Sequence, residues 1–122
     1  MTNKKKFENL MTHTITLVKK NLDVHGDLSI ITTYVGQKGF VQYGRKQMTV
    51  GLASGMAQGE TITSNALVFL KSDAPITIDL KKDKWFMTQT KPVARPEMQV
   101  LDVQPIDDPR DGTLHHYEVF VR

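Results

Sequence analysis

The chain has no cysteine, one tryptophan and few aromatics, 7% in all, and no apolar run long enough to span a bilayer. Without cysteine there are no disulfides and no thiolate metal sites, which suits a reducing compartment. A bilayer crossing by helix needs about 20 consecutive apolar residues. The amino terminus carries Lys4, Lys5 and Lys6 but no apolar segment follows, so it does not read as a secretory signal. The expectation is a soluble, intracellularly made protein. The 122 residues suit one domain, 1–122, with a single modest core.

Catalytic signatures are also missing. There is no Gly-x-Ser-x-Gly, no phosphate-binding Gly-rich loop and no His-Glu-x-x-His, and the serines Ser29, Ser54, Ser64 and Ser72 stand in no nucleophile context. His115 and His116 are neighbours on an expected strand, so their side chains are expected on opposite faces, unable to share one ion. The acidic segment Asp107–Gly112 lacks the alternating ligands and closing glutamate of a calcium loop. No enzyme, no metal and no cofactor is expected.

What is present is mostly β signal. Residues 98–103 and 115–121 are β-rich and flank Pro105, Asp108-Pro109 and Asp111-Gly112, which is turn chemistry, so a hairpin with a long acidic tip is expected, closing the domain on its last residues. Ala66–Leu70 is a short continuous apolar run suited to a buried strand. Ile76–Leu80 alternates with Ile76, Ile78 and Leu80 inward, and Lys84–Thr88 forms a further short strand after the turn Lys81-Lys82-Asp83. Leu28–Val35 reads as a strand with Leu28, Ile30 and Tyr34 on one face. Residues 5–22 place Phe7, Leu10, Met11, Ile15, Val18 and Leu22 at helical spacing, which predicts an amphipathic helix capped by Asn3, although Thr12, Thr14, Ile15, Thr16 and Val18 are β-branched. Six of the eight glycines lie between Gly36 and Gly59, which predicts a long flexible loop over 36–65 that orders against a partner, or else a surface excursion without a role. The fold class expected is mainly β with an N-terminal helix: a small barrel or sandwich with a long glycine-rich loop.

The net charge of +3 is unevenly spread. Lys81, Lys82, Lys84, Lys91 and Arg95 outnumber Asp83 and Glu97, whereas Asp102, Asp107, Asp108 and Asp111 face Arg110 alone. Lys81, Lys82 and Lys84 beside Trp85 and Phe86 resemble the basic–aromatic surface on which small barrels stack single-stranded nucleic acid. The same run also reads as a lysine-rich turn leading a core tryptophan into a strand.

The order of elements, with the close MQVLDVQPIDDPRDGTLHHYEVFVR, resembles the small head–tail connector proteins of tailed bacteriophages. These are the head-completion or stopper proteins, the lambda-type head–tail joining protein among them. The segment Val100-Leu101-Asp102-Val103-Gln104-Pro105 and the last strand Tyr117–Val121 carry the likeness, with Ile76–Met87 as the two preceding short strands. The turn between those strands usually bears glycine in that family and here reads Lys81-Lys82-Asp83-Lys84. The resemblance implies a virion protein of the phage neck, made in the host cytoplasm. It would form a ring of six or twelve copies, with a portal or adaptor protein above and a tail protein below, and carry double-stranded DNA through its centre without touching a membrane. The long loop would face the channel and gate it, presenting Lys38, Arg45 and Lys46 to phosphates. Ring closure needs two different patches to meet, and Lys81, Lys82, Lys84 and Arg95 against Asp107, Asp108 and Asp111 would supply them. A tail-completion or terminator protein and a single-strand-binding barrel are the alternatives.

Overall fold

The computed structural model describes residues 3–22, 25–49, 61–77 and 83–122. Six strands, β1 (His13–Leu22), β2 (Leu28–Thr49), β3 (Thr61–Lys71), β4 (Lys84–Lys91), β5 (Met98–Asp107) and β6 (Leu114–Val121), close into a barrel. Its order is β1-β2-β3-β6-β5-β4, with β4 returning to β1 and every pair antiparallel. A short helix, α1 (Asn3–Glu8), precedes the barrel.

The interior follows the period of two. Ile15 and Leu17 on β1, Val41 on β2, Ala66, Val68 and Leu70 on β3, Trp85 and Met87 on β4, Val100 and Val103 on β5, and Val119 and Val121 on β6 form one buried cluster. Trp85 is the largest buried side chain; Tyr34 stacks on it at 6.0 Å and its Nε1 donates to Thr77 Oγ1 at 3.2 Å. Phe120 faces away from this cluster, opposite Leu67 and Asp102.

The helix expected over 5–22 is corrected: α1 ends at Glu8, and His13–Leu22 is strand. The β-branched residues between Thr12 and Val18 lose too much χ1 freedom in a helix, and the residues turned inward are the alternating Ile15 and Leu17. Lys19 and Lys20 accordingly lie on β1, not in a last helical turn.

The loop expected over 36–65 is corrected too. Residues 36–49 continue β2 beyond the expected 28–35, and 61–65 begin β3, while 50–60 lie outside the described residues. The glycines that argued for a loop serve a strand. Gly36 (φ 69°) and Gly44 (φ 132°) sit at two of the three register shifts of β2, where an extra residue takes left-handed backbone. Gly39 faces inward so tightly that a Cβ there would stand 2.6 Å from the Phe69 carbonyl oxygen.

Two smaller differences concern proline and isoleucine. Pro105 lies within β5, opposite Tyr117, where β5 has no β4 partner and a missing donor is tolerated. Ile76 is buried as expected, but 74–77 is not strand, and Ile78 and Leu80 with Lys81 and Lys82 lie outside the described residues.

Candidate functional site: the ribbon and the charged ends of the barrel

Strands β2 and β3 outrun their neighbours. Pairing of β1 with β2 stops at His13↔Gly39, and pairing of β3 with β6 stops at Ala66↔Val121. Beyond these points Lys46–Thr49 pairs, among the described residues, only with Thr61–Ser64, so a two-stranded ribbon leaves the barrel. Both strands are rooted in the core by Val41 and Ala66.

A polar clamp holds the base of the ribbon. Tyr43 Oη donates to Gln89 Oε1 at 2.8 Å, and buried Gln89 donates through Nε2 to the Val93 carbonyl at 2.9 Å. The Arg95 amide donates to the Gln89 carbonyl at 2.9 Å, and the Arg95 guanidinium lies 5.1 Å over the Tyr43 ring. Desolvation raises the Tyr43 pKa above the ordinary phenol value, with the Arg95 charge opposing it. The segment between β4 and β5, which contains the cis Lys91–Pro92 peptide, is thus laid against the root of the ribbon.

The expected contact residues fall on different parts of the molecule. Lys38 is on the barrel wall, donating from Nζ to Thr14 Oγ1 at 3.1 Å. Arg45 is exposed where the ribbon begins, and Lys46 pairs in register with Ser64. Lys84 opens β4 beside Asp83, which Lys19 meets at 3.3 Å. Arg95 lies at the other end of β4, at the clamp. Eight strand residues span about 25 Å, so the basic run expected to act together over 81–95 is divided between the two ends of the barrel.

The acidic tip is at the end where β4 begins, since β5 runs antiparallel to β4. Two of its carboxylates build the turn. Asp108 Oδ1 accepts from the Arg110 amide at 2.9 Å and lies 3.6 Å from Arg110 Nε; Asp111 Oδ1 accepts from the Thr113 amide at 2.9 Å and its hydroxyl at 2.7 Å. The hydroxyl first, and then the amide, hold the Asp111 carboxyl below its ordinary range. Asp107 is exposed at the end of β5.

Three further expectations meet the structure here. Trp85 is 1% exposed inside the barrel, so it offers no face on which a base could stack. His115 and His116, expected on opposite faces, bring their Nδ1 atoms to 2.9 Å at the start of β6, because His115 is the extra residue of the register shift at Ile106/Asp107 and a bulge breaks the alternation of faces. Among the described residues no group of three or more ligating side chains could hold a metal ion, and no helix is long and apolar enough to cross a membrane. The Tyr43–Gln89 clamp carried no sequence signal, since its members lie 46 residues apart.

No protein-family model, no curated protein and no solved structure gives a significant match to this chain.

Proposed function

We propose that the chain is a structural protein of a tailed-phage neck. It assembles as a ring between a portal or adaptor protein and a tail protein, with double-stranded DNA passing through the centre. The observation that carries this reading is the ribbon: a closed barrel gives a rigid body, and two strands rooted in its core project from it with Arg45 exposed at their base. A projecting basic ribbon meets phosphates through charge alone and reads no sequence.

The distribution of charge supports the same reading. Arg45, Lys91 and Arg95 stand toward the ribbon, and Asp107, Asp108 and Asp111 toward the opposite end, which also carries Lys84 and Arg110. A subunit of unlike ends suits a place between two different neighbours, and unlike patches are what head-to-tail association requires.

The test is reversal of charge at the tip, Asp107→Lys with Asp108→Lys. The expected result is a chain that folds as a barrel but fails to form rings by native mass spectrometry and leaves particles that lose their DNA. Rings and DNA retention at the wild-type level would sink the reading. Amide exchange is the second readout, with strand residues 45–49 and 61–64 expected to gain protection on assembly.

A further inference from the structure

Helix α1 is fastened to the barrel through one ring. Phe7 stacks on His116, with centroids 4.4 Å apart and planes at 28°, and meets His115 at 5.2 Å and Phe69 at 5.8 Å edge-on. Phe7, Leu10 and Met11 form one wall of an apolar pocket of about 300 Å³, and Phe40 and Phe69 form the other. The helix has only six residues, too few to hold itself together in water, so its place depends on this contact.

The polar groups beneath Phe7 form a chain. His116 Nε2 lies 3.1 Å from Glu118 Oε2 and so donates to it. That leaves a lone pair on His116 Nδ1, which accepts from His115 Nδ1–H at 2.9 Å. From β3, Phe69 packs against His116 and Lys71 is its register partner. From β5 the register partner is Ile106, followed by Asp107, and from α1 the facing group is Phe7, on a helix that carries Lys4, Lys5, Lys6 and Glu8.

We propose that His115 and His116 form a proton-operated latch that releases the N-terminal helix from the barrel as pH falls. The contact between the two Nδ1 atoms holds one hydrogen. A proton added at His116 Nδ1 is accommodated only by moving His115 to its other tautomer, and it leaves a charged imidazolium among Phe7 and Phe69. With both rings charged, two N–H groups point at each other across 2.9 Å, and Glu118 offsets one charge only.

Burial is the largest influence on His116 and holds it below the ordinary imidazole value of 6.5; Glu118 opposes it and His115 adds to it. A histidine whose docked pKa is depressed binds fewer protons docked than released. The docking contribution is therefore full above the ordinary value and is lost as pH falls through the depressed one. Release would uncover Met11 and Phe69 beside the already exposed Phe40, widening a half-open pocket into an apolar surface.

The experiment is proton NMR of the full chain between pH 8 and pH 4.5. It follows cross-peaks between the Phe7 and Phe69 rings, with the Tyr34–Trp85 pair reporting on the barrel. The expected result is loss of the Phe7–Phe69 contacts on acidification while Tyr34–Trp85 persists. In His116→Phe, which keeps the stack and removes the proton site, the Phe7–Phe69 contacts should survive to pH 4.5. If the Tyr34–Trp85 pair shows that variant to be unfolded, His115→Phe replaces it; it removes one of the influences that hold His116 down, so the acid limit should move up. Contacts that persist at pH 4.5 in the wild type, or an equal loss in a folded variant, would overturn the latch.

Discussion

The Tyr43 hydroxyl donates to Gln89 Oε1 at 2.8 Å, joining the strand that leaves the barrel to one that stays in its wall. Tyr43→Phe keeps the ring under the Arg95 guanidinium and removes this bond alone, leaving a buried amide oxygen without its donor. The expected cost is about 1–3 kcal/mol. Urea unfolding should show a lowered midpoint at an unchanged slope, and amide exchange should quicken at the Arg95 and Gln89 positions first.

Gly39→Ala places a methyl group 2.6 Å from the Phe69 carbonyl oxygen, 2.8 Å from Ile15 Cδ1 and 3.1 Å from Leu70 Cδ2. The nearest atom is backbone and cannot swing aside, so β2 and β3 must separate. Overpacking of this kind costs about 1–3 kcal/mol. A melting temperature unchanged from the wild type would contradict the packing described.

Trp85→Ala removes the largest buried side chain and its bond to Thr77. The expected loss is about 3–5 kcal/mol, measured by chemical denaturation. In the wild type, titration with a single-stranded oligonucleotide should leave tryptophan emission unquenched, because the ring is enclosed. Saturable quenching would show that the barrel opens to bases.

Asp111 anchors the acidic tip through Thr113, and its depressed carboxyl makes that order dependent on pH. Carboxylate bonding is present in full above the ordinary value of 3.8 and is lost as pH falls through the lower value in the folded tip. The Thr113 amide shift, followed by NMR, should therefore titrate with a midpoint below 3.8. In Asp111→Asn that transition should disappear while the barrel amides stay in place.

Much of the fold could be read from local pattern. The C-terminal strands showed themselves because alternating apolar residues such as Val119 and Val121 coincide with strong turn chemistry at Asp108-Pro109 and Asp111-Gly112. Residues 5–22 misled because Phe7, Leu10 and Met11, which pack outside the barrel, and Ile15, which packs inside, happen to fall at helical spacing. Gly36, Gly39 and Gly44 resembled loop punctuation, and only the partner strand shows them as two bulges and one close approach. The clamp and the histidine latch were illegible for a different reason. Each joins residues distant in sequence, Tyr43 to Gln89 and Phe7 to His116, and a closed sheet must exist before they meet.

Among the described residues the barrel is closed between β4 and β5 by only two register pairs, Phe86↔Gln99 and Met87↔Met98, whereas β3 and β6 pair continuously from Ala66 to Lys71. A ring of strands yields at its shortest joint, so this seam behaves as a clasp. When it parts, the molecule becomes a curled sheet with five joints intact. The interior, Trp85 and Met87 foremost, is then reached from one side, and the opening lies beside the β4–β5 connection that clamps the root of the ribbon. A clasp set there couples access to the interior with the hold on the ribbon, since both meet at the β4–β5 connection.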